Sequence, residues 1–281
     1  MRSAVKNVEK TVKYVTVQVD NGIAQVRLNR PDKLNALVLD TLYELIAVAR
    51  QLRKDRTVRA VVIAGEGASF TAGLDIAGTM RSPGRIVRAF VPAPWRGTNV
   101  FQEACWAWRR IPVPVIAAVH GHCYGGGVQI ALAADLRFAT PDSKWSVMEG
   151  KWGIIPDMTG MRSLTEVVGI DVAKKLTMTA EQFSGADAGR LGLVTELHDD
   201  PIKAATAFAE SLLPKSPDAL AAAKRLIDRA QTGSARRTFA RERWEQIRLL
   251  RLPNTAVLRR AVLKKQTPVF GPRARRIRPW H

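Results

Sequence analysis

A chain of 281 residues with 46% hydrophobic and 25% charged residues has the composition of a soluble globular protein, and its length allows one large core with an extension. No apolar run reaches the roughly 18 residues that span a bilayer, residues 1–13 are basic without the apolar stretch of a secretory signal, and Cys105 and Cys123 are too few for a disulfide framework, so a cytoplasmic protein without membrane insertion is expected. The net charge of +19 asks for anionic partners, and it gathers late: no acid follows Glu245, whereas Arg259, Arg260, Lys264, Lys265, Arg273, Arg275, Arg276 and Arg278 do.

In chain order, residues 14–20 and 23–28 alternate apolar and polar side chains around Asn21-Gly22, the pattern of a hairpin. Leu42, Leu45, Ile46 and Ala49 recur at helical spacing and predict a helix over 37–52. Residues 58–64 and 113–119 are short apolar runs, as in strands buried on both faces. A helix over 126–134, a strand over 136–139 and an extended run over 144–148 follow. Residues 77–101, with Gly78, Pro83, Gly84, Pro92, Pro94 and Gly97, read as a loop-rich lid or pocket wall. Beyond 204 the pattern is helical, over 204–213, 219–231, 235–252 and 255–265. The recurring strand–strand–helix order predicts an α/β core, residues 1–203, with parallel strands presenting loops at one end, and a helical module over 204–281.

The chemistry concentrates in two turns and two acids. Gly125, Gly126 and Gly127 open a helix, so backbone N–H groups can face a ligand oxygen without interference from Cβ atoms. Ala72, Gly73, Leu74 and Asp75 form a second turn of small residues. Two such donor sets suit an oxyanion hole, in which one donor is worth about 3 kcal/mol. Either turn alone also serves as plain strand-to-helix packing. Glu149 and Asp157 follow, with Trp145, Met148, Trp152 and Ile154 nearby to raise a carboxyl pKa. Asp157, after Pro156, also fits a helix N-cap.

Five motifs in order carry a resemblance: LNRPDKLNAL at 28–37, FTAGLDI at 70–76, PVIAAVHG at 114–121 followed by the glycine triplet, LGLV at 191–194 and KQTPVF at 265–270. From about residue 15 to 270 the chain resembles the crotonase superfamily, the enoyl-CoA hydratase/isomerase family. That resemblance implies a spiral of repeated ββα units, a helical C-terminal oligomerisation module and an enzyme acting on an acyl-CoA thioester, as in fatty acid metabolism. It places the thioester oxygen between the N–H groups of Leu74 and Gly126, and proton transfer on Glu149 and Asp157. Coenzyme A would lie along Lys33, Leu34, Ala72, Gly73, Asp75, Ile76 and Gly125, helped by Lys264 and Lys265 from a neighbouring subunit of a homotrimer or hexamer. No cofactor is implied, because coenzyme A enters with the substrate.

Gln129 departs from the pattern. Hydratases of this family carry a glutamate there and at position 149, and an amide has no usable basicity near neutral pH, although it can orient water. Dienoyl-CoA isomerases pair the acid at position 149 with an aspartate eight residues later, where Asp157 stands. Double-bond isomerisation is therefore favoured over hydration. The alternatives are a hydratase proper, CoA-ester hydrolysis or decarboxylation, and more remotely RNA binding through Arg273, Arg275 and Arg276.

Weaker signals point elsewhere. His120 and His122 lack a carboxylate to complete a metal site; no metal is expected. A Gly-x-Ser-x-Gly elbow and a dinucleotide fingerprint are missing. Trp95, Trp106, Trp108, Trp145 and Trp152 suggest a large apolar acyl pocket.

Overall fold

The computed structural model describes residues 8–11, 13–76, 78 and 83–275; the rest of the basic tail, Arg276 and Arg278 included, and parts of the 1–13 and 77–101 segments lie outside the described residues. The main sheet has seven strands in the order β1-β2-β3-β4-β5-β7-β10. Strands β1 (Val8–Thr11), β2 (Val15–Asp20) and β3 (Ile23–Leu28) are antiparallel. The strands β4 (Ala60–Gly65), β5 (Val115–Val119), β7 (Leu136–Ala139) and β10 (Glu196–Leu197) continue from β3 in parallel. Asn21 and Gly22 both take positive φ, 49° and 82°, which is the twist that lets a two-residue turn join β2 to β3.

The all-apolar run of β4 is buried on both sides, and its period of two divides it. Val61 and Ile63 join the larger core beneath α1 (Leu39–Lys54), while Ala60, Val62 and Ala64 face Ala205 and Ala209 of α8 (Pro201–Ser211). The 203/204 division drawn from sequence falls inside α8, which lies on the sheet. Helix α1 starts at Leu39 rather than 37 because Leu37 is drawn into a parallel bridge with Leu74.

The 77–101 segment is not only loop. It holds α2 (Pro83–Phe90), with proline in the first turn, where its missing N–H costs nothing, and the start of α3 (Val100–Arg109). A reciprocal cap opens α3: Asn99 Oδ1 accepts from the Gln102 amide at 2.8 Å, and the Asn99 amide donates to Gln102 Oε1 at 3.1 Å. Buried Glu103 pins the loop before it, accepting from Thr98 at 2.7 Å and Arg96 at 2.8 Å.

A second, three-stranded sheet joins β6 (His122–Tyr124), β8 (Lys144–Ser146) and β9 (Phe183–Ser184). Between them run α4 (Gly126–Ala133), a 3-10 turn (Met148–Trp152), α5 (Gly160–Thr165) and α6 (Ile170–Thr179), and α7 (Gly185–Leu191) follows β9.

The chain ends in α9 (Pro217–Ala230), α10 (Ala235–Leu250) and α11 (Pro253–Leu263). Asp218 fastens this end by accepting from Asn254 Nδ2 at 2.8 Å and the Ala274 amide at 2.7 Å. Of the arginines that the tail would present to RNA, Arg273 is instead buried, donating to the Val58 and Asp55 carbonyls.

Candidate active site

Leu34 and Asn35 adopt left-handed φ, 48° and 55°, and turn the chain so that the Asn35 side chain becomes a hub. Its Oδ1 accepts from the Arg30 amide, and its Nδ2 donates to the Glu66 and Ser69 carbonyls at 2.8 and 2.7 Å. The 71–75 segment is zipped on both sides. Leu37 donates to Gly73 O and Asp75 to Leu37 O on one side; Thr71 donates to His122 O and Tyr124 to Thr71 O on the other. A parallel bridge uses alternate residues, so the Leu74 N–H points away from Leu37. Gly126 is the first residue of α4, where no helix carbonyl can accept its N–H. Among the described residues neither N–H has an acceptor.

Glycines let the two turns meet. Gly73 has φ 89°, and a methyl group there would sit 2.7 Å from Tyr124 O; one on Gly127 would sit 2.5 Å from Thr71 Cγ2. Gly125, with φ 49°, is held by its own N–H to Ser146 O at 2.9 Å.

These turns floor a cavity of about 700 Å³ lined by Ala72, Gly73, Leu74, Ile76, Gly125, Gly126, Gln129, Glu149 and Asp157. Glu149 projects from the 3-10 turn. Its Oε1 accepts from Gln129 Nε2 at 2.6 Å, and its buried Oε2 has no partner among the described residues. Burial pushes the Glu149 carboxyl above its ordinary value, against hydrogen bonds from its own backbone and from Gln129, and the nearby Asp157 charge adds to the rise. Burial likewise raises Asp157, against a bond from its own backbone. Asp157 is not a helix cap, because α5 begins after Thr159, itself at φ 73°.

Gln129 is committed at both ends: its Oε1 accepts from the Gly160 amide at 2.8 Å. One N–H and one lone pair of the amide are thus used to fix its orientation against Glu149 and Gly160. The remaining wall is apolar, with Ile86, Phe90, Phe101, Met148, Trp152, Ile154, Ile155 and Met158. The Phe90 and Phe101 rings lie 4.8 Å apart. Only Trp152 of the five tryptophans lines the cavity. Trp108 and Trp145 are core, Trp106 lies under the Arg109 guanidinium, and Trp95 is 82% exposed away from the cavity. Tryptophan count reports bulk, and alternating burial decides where that bulk goes.

Of the remaining expected contacts, Asp75 accepts from the Gly78 amide at 2.8 Å and pairs with Arg30 at 3.1 Å, beneath the turn. Arg30 also donates to Ala36 O. Arg30 was expected on the coenzyme A loop but not as the partner of Asp75, and Asn35, inside the same 28–37 motif, is the positioning residue that sequence reasoning passed over. Lys33 and Leu34 sit exposed on the same loop, and Lys264 and Lys265 sit exposed at the end of α11; none of the four lines the cavity. His122 Nδ1 lies 2.8 Å from Ser69 Oγ and His120 Nε2 2.9 Å from Gly67 O, so both rings serve the loop.

Residues 18–249 match the family model for enoyl-CoA hydratase/isomerase. The chain belongs to that family. This enoyl-CoA hydratase/isomerase is 31% identical over 230 residues to the peroxisomal Delta(3,5)-Delta(2,4)-dienoyl-CoA isomerase of Arabidopsis thaliana, covering 79% of this chain and 83% of that one. It is 34% identical over 219 residues to the short-chain-enoyl-CoA hydratase of Clostridium acetobutylicum, covering 76% and 81%. Its crotonase-like fold superimposes on the crystal structure of an enoyl-CoA hydratase from Polaromonas with a TM-score of 0.80 at 28% identity, covering 91% of this chain and 98% of that one. It is an enzyme that acts on acyl-CoA.

Proposed function

We propose that this enzyme shifts a carbon–carbon double bond in an enoyl- or dienoyl-CoA. The observation that carries the reading is one cavity holding two carboxylates of raised pKa, Glu149 buried and Asp157 half-buried, while the amide between them and α5 is tied at both ends. The N–H groups of Leu74 and Gly126 receive the thioester oxygen as C2 loses a proton and charge moves onto it. Glu149 and Asp157 then share the work of removing that proton and returning one further along the chain, C4 in a 3-enoyl or C6 in a 3,5-dienoyl substrate. Raised pKa values suit both halves, since each group must accept and release a proton near neutral pH.

Coenzyme A lies along the 30–34 loop and the 72–76 segment, with Lys264 and Lys265 of a neighbouring subunit near its phosphates. Self-association into a trimer or hexamer draws support from α10, which buries none of its residues and exposes Phe239, Ile247 and Leu250. Coenzyme A is part of the substrate, and the reaction as written needs no metal or redox cofactor.

Hydration is the second reading, favoured by the Clostridium relative. It needs a second group to handle water, and Gln129 is already engaged. Purified enzyme is assayed with 3,5-dienoyl-, 3-enoyl- and 2-enoyl-CoA, alongside Glu149→Gln, Asp157→Asn and Gln129→Glu. Isomerisation exceeding hydration, with Glu149→Gln reducing it about 10²–10⁴-fold, is expected. Fully active Glu149→Gln, or hydration alone, would sink the proposal.

A further inference from the structure

A second, larger cavity of about 1010 Å³ stands apart from the acyl site, lined by twelve lysines and arginines against three acids, Glu166, Asp218 and Asp228. Two helices measure the separation. Helix α1 begins beside Leu37, which holds the Leu74 turn, and its sixteen residues run about 24 Å to Lys54 in the cationic wall. Helix α3 has Phe101 in the acyl cavity and Arg109 in the cationic one.

Among the described residues the acids near this wall are fewer than its cations. Glu166 is shared by Arg109 and Arg162, and Glu245, from behind the wall, by Arg225 and Arg248. Glu103 and Asp135 hold Arg110 and Lys224. With those rear acids included, cations still outnumber acids two to one. Both oxygens of Asp218 are occupied by Asn254 and Ala274 donors. Lys54, Arg229 and Arg275 are exposed and have no acid partner among the described residues. One nitrogen of Arg109 is buried without an acceptor among them.

Helix dipoles favour cations in a last turn, which accounts for Lys54, Arg109, Arg229 and Arg248 singly. That preference does not make four helix ends converge on one space. Like charges so gathered repel unless an anion joins them. Single-stranded nucleic acid needs aromatic platforms, and the one tryptophan in the wall, Trp106, is already covered by Arg109, 4.8 Å from its ring.

We propose that this cavity binds a compact polyphosphate, a di- or triphosphate chain, either free or as the end of a nucleotide. The test is calorimetric titration of the full chain with sodium tripolyphosphate, ATP and AMP, each with and without saturating coenzyme A. One saturable site is expected for tripolyphosphate, weakening steeply between about 50 and 200 mM salt and unaffected by coenzyme A. Equal binding of ATP places the site on nucleotides; binding of tripolyphosphate alone places it on the free ion; AMP binds far more weakly than either.

The triple variant Lys54→Ala, Arg229→Ala, Arg275→Ala removes exposed side chains only, and should weaken binding about tenfold or more while leaving turnover of acyl-CoA unchanged. The control pair Arg236→Ala, Arg237→Ala, exposed on α10 outside the cavity, should not weaken it. Absence of saturable binding, displacement by coenzyme A, or equal effects of the two variants would overturn the proposal. So would a variant that changes only the oligomeric state, or binding of single-stranded RNA without binding of tripolyphosphate.

Discussion

Gln129 holds Glu149 from one side: its Nε2 donates to Glu149 Oε1 at 2.6 Å, while its own oxygen is fixed by the Gly160 amide. The bond favours the charged carboxylate, so it opposes the upward push of burial. Gln129→Leu should therefore move the acid limb of the pH–rate profile to higher pH. It also strands the buried Gly160 N–H, at a cost of about 1–3 kcal/mol by urea unfolding. Gln129→Glu places a second acid against Glu149, so the pair should share a proton and titrate in two steps, again with the limb displaced upward. An unmoved limb in both variants would remove Gln129 as the group that positions Glu149.

The same raised pKa makes a stability prediction with a definite sign. Between the ordinary value of 4.5 and the raised folded value, the native protein binds more protons at Glu149 than the unfolded chain. Stability thus falls as pH rises through that window, and the loss is complete above it. Ionised Glu149 is a burden on the fold at neutral pH. Glu149→Gln should raise the melting temperature at pH 7.5, with the gap to wild type closing toward pH 4. A variant that melts lower at pH 7.5 would contradict this.

Legibility in the sequence followed the range of the interaction. Strand β4 and the 21–22 hairpin were readable because they depend on runs and dihedral preferences a few residues long. The acids at 149 and 157 were readable as candidates because their type is chemical. Their setting was not: Gly160 reaches Gln129 across 31 residues and Arg30 reaches Asp75 across 45, and no local periodicity encodes such a pair. Helix α2 was lost for a different reason. Pro83 and Gly84 look like loop residues, yet proline in a first turn starts a helix rather than breaking it. The extended run expected through 148 ended at Ser146, and the 3-10 turn that replaces it is what lifts Glu149 into the cavity.

Gly73 tests the proposed oxyanion turn apart from the acids. An alanine there would carry φ 89° and press its methyl group to 2.7 Å from Tyr124 O. Backbone strain of this kind costs about 1–3 kcal/mol, and relief by displacement would move the neighbouring Leu74 N–H. Gly73→Ala should lower kcat about 10²–10³-fold, as expected when one oxyanion donor is lost, with less change in affinity for coenzyme A itself. Near-normal kcat in a folded variant would mean that Leu74 does not supply that donor.

Phe90 tests what the apolar wall does. Its ring packs at 4.8 Å on Phe101, both line the acyl cavity, and Phe90 is still 49% exposed. With half of its surface open, its removal opens the mouth more than it hollows the core. The aromatic pair contributes about 0.5–1.5 kcal/mol beyond area burial, and an acyl chain that reaches the ring forfeits a comparable contact. Phe90→Ala should therefore lower kcat/KM about tenfold for acyl groups long enough to touch the ring, leave the shortest acyl groups unchanged, and spare kcat relative to KM. Binding lost equally in ground and transition states has that signature. A uniform loss across all chain lengths would place Phe90 in the scaffold instead.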